Sequence, residues 1–230
     1  MDIKGKVALV TGGAKRIGKV IALALAVKGA DVAVNYLSSE KEAFETVEEI
    51  KALGVKAITV KADVSDAMQV KKMFDKIMKE FGRVDIVVNN ASLFYRTPFE
   101  SMTEKDWDRN IDVNLKGPFL VVREAAKRMK RGSIVNIADG DVYKPNKHYI
   151  AYTAAKGGLI ALTKALAVEL APRIKVNCVL PGPTLLPEWI ESKRRKEIIA
   201  SMPGKKLCDV GDVVKAVVFA VESDESGKEI

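Results

Sequence analysis

The sequence predicts an α/β protein built on a parallel sheet covered by helices on both faces. Three observations predict it. An apolar strand runs into a glycine loop and then a helix. Strand-like apolar runs and amphipathic helical patterns go on alternating after it, and polar residues gather where the strands end. No linker, repeat or low-complexity run divides the 230 residues, so one domain, 1–230, is expected.

Lys6 to Val10 reads as the first strand, followed by T-G-G-A-K-R-I-G and a helix with Ile17, Val20, Ile21, Ala24 and Val27 at helical spacing. This order sets bare backbone N–H groups and a helix N-terminus against a phosphate. The usual G-x-G-x-x-G is absent, and Gly12, Gly13 and Gly18 stand in a longer spacing. Asp31 to Asn35 is the second strand, and it leads into Tyr36 with no acid at its end. A carboxylate there accepts from the ribose 2′-hydroxyl of NAD and repels a 2′-phosphate. Lys15, Arg16, Ser38 and Ser39 instead suit a 2′-phosphate, so NADPH is the expected cofactor.

A helix over Glu40 to Leu53, a strand over Val55 to Val60 and a helix over Asp66 to Phe81 continue the alternation. Val70, Met73, Phe74, Ile77 and Phe81 give the last of these its apolar face. Val84 to Val88 is a fourth strand, closed by Asn89 and Asn90. Asp63 and Asn89, at two strand ends, are expected to face one crevice. Phe94 lies just past the fourth strand beside Tyr95, which favours a pocket wall over core.

Tyr152 and Lys156 share a helix face one turn apart. A tyrosine titrates near pH ~10, and bringing it to neutrality takes roughly 3 units, about 4 kcal/mol. A fixed cation one turn away is expected to supply much of that. The helix carrying the pair, Ala151 to Leu170, is apolar nearly all round, with Gly157 and Gly158 permitting close approach. Such a helix needs cover on both sides, and a second copy of the chain is the economical answer. The V-N-C-V-L run reads as a buried strand, with Cys178 a core thiol. Leu185 to Ser201, carrying Trp189, is expected to be a mobile lid, and His148 an exposed loop residue.

The formal net charge is +8, but the basic residues interleave with acids on helix faces, and no nucleic-acid-binding signature accompanies them. No apolar run is long enough to span a membrane, and a strand begins within a few residues of Met1. With only Cys178 and Cys208, a reducing cytoplasm is expected. No metal-ligand spacing is visible.

T-G-G-A-K-R-I-G, A-D-V-S-D, V-V-N-N-A-S, V-N-L-K-G-P-F, S-I-V-N-I, Y-T-A-A-K and V-N-C-V-L-P-G-P follow one another in the order and spacing of the short-chain dehydrogenase/reductase family. The resemblance spans nearly the whole chain and implies a Rossmann-type, doubly wound parallel sheet of about seven strands and one NADP-binding reductase domain that assembles as a homodimer or tetramer. It implies Asn114, Tyr152 and Lys156 as catalytic residues, and Gly12, Gly18, Asp63, Asn89 and Thr184 as cofactor residues. Ile17, Asn35, Tyr36, Val64, Ala91, Pro181 and Gly182 are expected beside them in the cofactor cleft, with Tyr152 and Lys156 also touching the cofactor. Asn114 is expected to hold a water that relays protons from Lys156 to solvent.

Two departures matter. The loop's middle glycine is Arg16, and the family's catalytic serine, thirteen residues before the tyrosine, is Asp139. With A-S-L-F-Y after the asparagines and P-G-P-T-L-L-P-E-W, this resembles the pteridine reductase branch. That likeness implies a substrate site made of Arg16, Ser92, Phe94, Asp139, Tyr152 and Trp189. The expected activity is hydride transfer from NADPH to a pterin or dihydrofolate-like ring, with Tyr152 as proton donor assisted by Asp139 and Lys156. The alternatives are a reductase of 3-oxoacyl carrier proteins or small ketones, with Lys130, Arg131 and Arg173 meeting an acidic carrier, and a catalytically silent nicotinamide-binding regulator. The chain closes on S-G-K-E-I, where the family's last strand begins, and a shortened strand is expected to weaken any interface it builds.

Overall fold

The computed structural model describes residues 1–186, 190–202 and 204–230, with the backbone alone at Arg194. Six parallel strands form one sheet in the order β3-β2-β1-β4-β5-β6. They are β1 (Val7–Val10), β2 (Asp31–Tyr36), β3 (Ala57–Lys61), β4 (Ile86–Asn89), β5 (Gly132–Ile137) and β6 (Ile174–Val179). The expected seventh position is taken by residues 227–230, which run beside β6 through backbone bonds such as Cys178 N to Lys228 O and Ile230 N to Cys178 O, each 2.9 Å. Only an isolated bridge forms there, between Cys178 and Glu229.

The pleat explains the two cores. Ala8, Val10, Val32, Val34, Ile86 and Val88 point to one face, where they meet α1 (Arg16–Val27), α2 (Glu40–Ala52) and α8 (Val210–Glu222). Val7, Leu9, Ala33 and Val87, one residue out of step, point to the other, under α3 (Ala67–Phe81), α5 (Gly117–Arg128) and α6 (Ile150–Glu169). Asp66 caps α3 by accepting from Met68 N and Gln69 N, and Gly82 closes it at φ 72°. The expected helix and strand bounds hold to within about two residues, as end fraying allows.

Strand order reverses between β1 and β4, so the connections from these two strands diverge and leave a crevice at their carboxyl ends. Beside it runs α4 (Glu104–Ile111), joined to α5 through a π-helical turn, Asp112–Lys116. The segment expected as a lid contains a helix, α7 (Ser192–Ser201), and Trp189 lies outside the described residues. The α6 helix is less enclosed than its composition suggests. Val168 is 81 % exposed on its outward face, and Ala154, Ala161 and Ala165 are exposed with it. Gly158 approaches Leu115, where an added Cβ would lie 2.9 Å from Cδ2.

Candidate active site

A cavity of about 2190 Å³ fills the crevice. At one end β1 gives way to the glycine loop. Gly12 adopts φ +59°, and a Cβ on Gly18 would sit 2.2 Å from the Gly12 carbonyl oxygen and 2.5 Å from Asn90 Nδ2. Only glycine fits at Gly18 without displacing the loop. Asn90 Nδ2 donates to the carbonyls of Thr11 (2.9 Å) and Gly12 (3.1 Å), and Thr11 Oγ1 accepts from the backbone N–H groups of Asn90 and Ala91, each at 3.0 Å. Helix α1 starts at Lys15 with no side-chain cap and no acid in its first turn. Its first N–H groups therefore face the cavity without an internal anion, the arrangement that suits a phosphate.

Asn35 is a brace more than a contact. Its Oδ1 accepts from Gly12 N at 3.2 Å and its Nδ2 donates to Val60 O and Ala62 O at 3.2 and 3.1 Å. Tyr36 is buried and donates to Glu40 at 2.8 Å. Lys15, Ile17, Ser38, Ser39, Asp63, Val64 and Ala91 all line this half of the cavity. One oxygen of Asp63 accepts from Ser65 N and Oγ, which fixes the turn after β3.

The geometry bears on three expectations here. Asn89 does not face the crevice. It continues the Val87 side of the pleat, where its Nδ2 donates to Asn136 Oδ1 at 2.8 Å, and Asn136 donates to Thr163 on α6 at 2.8 Å. Its neighbour Asn90 lines the cavity instead. Arg16, at φ 54°, reaches across the cleft to donate to the Leu185 carbonyl. Its guanidinium thus engages the loop after β6, while Arg16 lines the cavity together with Lys15, Ser38 and Ser39. Asn114 is fully buried and its side chain is already engaged. Its Oδ1 accepts from Ser92 Oγ and Leu93 N, and its Nδ2 donates to Leu93 O, all at 2.9 Å. It thus pins the Ser92 loop and does not point a side chain at Lys156.

At the other end, β5 runs into Asp139, which caps a 3₁₀ turn, Gly140–Val142, by accepting from Asp141 N at 2.8 Å. Its other oxygen accepts from the Tyr152 hydroxyl at 2.7 Å. Lys156 is 3 % exposed and donates to the Ile137 carbonyl at 2.7 Å, with Nζ 5.7 Å from the centre of the Tyr152 ring. Burial lowers Lys156 to about 8, partly opposed by the charge of Asp139. Tyr152 is raised well above its ordinary value, first by burial and then by Asp139. The expected activation by Lys156 is therefore not the dominant influence on Tyr152. The carboxylate touches the phenol, and the ammonium is turned to a backbone carbonyl.

The substrate side of the cavity is aromatic. Phe94 stacks on Tyr149 with ring centres 4.7 Å apart and planes within 5°, and meets Tyr152 edge-on at 4.9 Å. Phe94 is 36 % exposed, a wall and not core. Tyr149 was not singled out from the sequence, although it stands three residues before Tyr152 and so near the same helix face. His148, expected as exposed, is half-buried at the cavity rim at φ 73°, its carbonyl accepting from Thr97 N at 2.6 Å. Pro181, Gly182 and Thr184 close the cavity after β6, held by Cys208 N donating to Pro183 O at 2.9 Å. Among the described residues no cluster of His, Cys, Asp or Glu could hold a metal, and no helix is long and apolar enough to cross a membrane.

A glycine-turned anion cradle and a buried Tyr-Lys pair with the half-buried Asp139, facing each other across the switch point of a doubly wound sheet, define an oxidoreductase of the dinucleotide-binding fold. Residues 6–197 match the short chain dehydrogenase family, and the chain belongs to it. It is 39% identical over 222 residues to the 3-oxoacyl-(acyl-carrier-protein) reductase FabG of Staphylococcus aureus, covering 93% of this chain and 89% of the relative. It is 45% identical over 231 residues to an uncharacterized oxidoreductase of Methylorubrum extorquens, covering 96% and 92%. A short chain dehydrogenase from Burkholderia cenocepacia, solved in complex with NADP, superposes with a TM-score of 0.93 at 33% identity, over 100% of this chain and 97% of that one. The FabG name favours the carrier-protein alternative over the pterin expectation.

Proposed function

We propose that this chain is an NADPH-dependent reductase of a C=N bond in a flat, protonatable heterocycle of the dihydropterin or dihydrofolate type. The observation that carries the reading is the 2.7 Å bond from Tyr152 to Asp139. A ketone needs donors at its oxygen. An ionised carboxylate beside the phenol raises the cost of the tyrosinate that forms when the proton leaves. A ring nitrogen takes up a proton as the hydride arrives, and the Tyr152 hydroxyl, fixed by Asp139, is the donor placed to deliver it.

The loop around Gly12 and Gly18 and the first turn of α1 suit the diphosphate, and Lys15 with Ser38 and Ser39 suits a 2′-phosphate. Asp63 and Val64 suit the adenine, while Pro181, Gly182, Thr184 and Lys156 close around the far end. Support for a phosphorylated dinucleotide also comes from the similar Burkholderia protein, described in complex with NADP. When bound, the cofactor supplies a hydride. Tyr152 delivers the proton, Asp139 holds the phenol in place, Lys156 holds positive charge beneath the pair, and Phe94 with Tyr149 sets the plane of the ring. Pairing of two copies through the exposed stripe of α6 belongs to the same reading.

A second reading, reduction of a 3-oxoacyl carrier protein or small ketone, is favoured by the FabG relative. Lys130 and Arg131 are exposed and suited to an acidic carrier, whereas Arg173 is committed to the Ala126 carbonyl at 3.0 Å. NADPH oxidation against dihydrobiopterin, dihydrofolate, an acetoacetyl carrier and a diketone separates the two. Tight NADPH binding with no turnover of any of them would instead indicate the silent regulator.

The pH dependence tests the chemistry. Asp139 is the carboxyl in contact with the proton donor, and kcat is expected to rise toward mildly acidic pH. Asp139→Ser should move the profile to the alkaline side with NADPH affinity nearly unchanged, and Asp139→Asn should lose rate at every pH. Coincident profiles for all three proteins would remove the acid role of Asp139.

A further inference from the structure

We infer that Asp141 is a specificity-determining residue of this cleft, a second carboxylate that selects substrates presenting an amidine-type N–H edge. The inference rests on the heterocycle reading above and narrows it. The 3₁₀ turn places Asp141 two residues beyond Asp139, and the bond from its own backbone N–H to Asp139 Oδ1, 2.8 Å, holds the two in register. Both line the cavity. One Asp141 oxygen accepts from Asn146 Nδ2 at 2.6 Å. A carboxylate accepts about four donors in all, so this bond uses a small part of its capacity.

The surroundings favour a positive or donor-rich partner. Burial raises the Asp141 carboxyl above its ordinary value and the charge of Asp139 raises it further, while the Asn146 hydrogen bond and then Lys144 at the exposed rim offset only part of this. A thioester or ketone offers this wall acceptors alone, so acceptor would face acceptor, a means of rejecting the wrong substrate. A fork of two N–H groups on a flat ring matches a carboxylate bidentately. The Phe94 and Tyr149 rings, stacked 4.7 Å apart, line the same cavity and provide flat surfaces.

Benzamidine and benzamide are a fitting pair of probes, equal in size and different in charge. Their dissociation constants are measured on the NADP-loaded enzyme for wild type, Asp141→Asn and Asp141→Glu, with NADPH affinity as a check on folding. Wild type is expected to prefer benzamidine by about tenfold, the worth of one charge-assisted hydrogen bond. Asp141→Asn should remove most of that preference and Asp141→Glu should keep most of it. A ratio near one in wild type, or one that Asp141→Asn leaves unchanged, overturns the assignment. The two levels fail separately. No turnover of any dihydropterin with the ratio intact sinks the heterocycle reading and leaves Asp141 standing, whereas dihydropterin turnover with a ratio indifferent to Asp141→Asn sinks Asp141 alone.

Discussion

At the phosphate end of the cleft Gly12, Asn35, Thr11 and Asn90 hold one another through neutral hydrogen bonds of 2.9 to 3.2 Å. At the catalytic end Tyr152 and Lys156 are displaced from their ordinary values by burial, with the charge of Asp139 acting on both. The first region is a shape and the second a charge distribution. Substitutions at the first should therefore act through steric fit and be indifferent to pH, while those at the second should act through proton balance and leave the fold in place.

The sharpest break is a crossed pair. Tyr152→Phe is expected to lower kcat by about a hundred to ten thousand fold and to leave NADPH affinity within about threefold. Gly18→Ala should do the reverse. Its Cβ cannot sit 2.2 Å from the Gly12 oxygen, and the loop must shift at about 1 to 3 kcal/mol, with weakened NADPH binding and a lower melting temperature. Single-turnover rates and cofactor titrations on both variants decide it. Should Gly18→Ala bind NADPH as well as wild type, the shape argument fails.

Lys156 gives the next effect. Unfolded, it keeps its proton to about pH 10.4; folded, it keeps it only to about 8. Between these values the unfolded chain binds more protons, so stability rises with pH, at most by about 1.4 kcal/mol per unit. Below pH 8 the penalty of the buried charge is present in full. Urea unfolding of the cofactor-free protein should show wild type gaining on Lys156→Met from pH 8 to 10, and parallel curves would contradict the lowered value.

The smallest effect divides the two cations of the loop. Lys15→Ala should reduce the preference for NADPH over NADH by about tenfold, one charged hydrogen bond. Arg16→Ala should reduce it less, because Arg16 engages the Leu185 carbonyl. Equal losses would place both cations at the 2′-phosphate, as the sequence alone suggests.

Much of the fold was legible because its signals are local. Apolar runs mark β1, β2 and β6, the single apolar face of α3 marks that helix, and glycines mark the loop between β1 and α1. The site was legible at Tyr152, Lys156 and Asp139, which sequence spacing joins. What stayed hidden depends on distant neighbours or on single-residue phase. The fourth strand was read as ending at Val88; it ends at Asn89, and the pleat sends Asn89 inward and leaves Asn90 to the cavity. The charge on Lys156 depends on walls contributed by other elements, and the reach of Arg16 on a loop 169 positions away.

The π turn at Asp112–Lys116 has a bearing on how this helix could ever change. Each residue added to a helix rotates everything after it by about 100°, since a turn holds about 3.6 residues. The bulge acts like a half-step in a thread, letting Asn114 grip the Ser92 loop beside the cleft while Leu120, Val121 and Ala125 still meet the sheet. Losing one residue here would straighten the helix and swing one set of contacts out of phase with the other, so neither the catalytic wall nor the core beneath α5 can drift in length without the other.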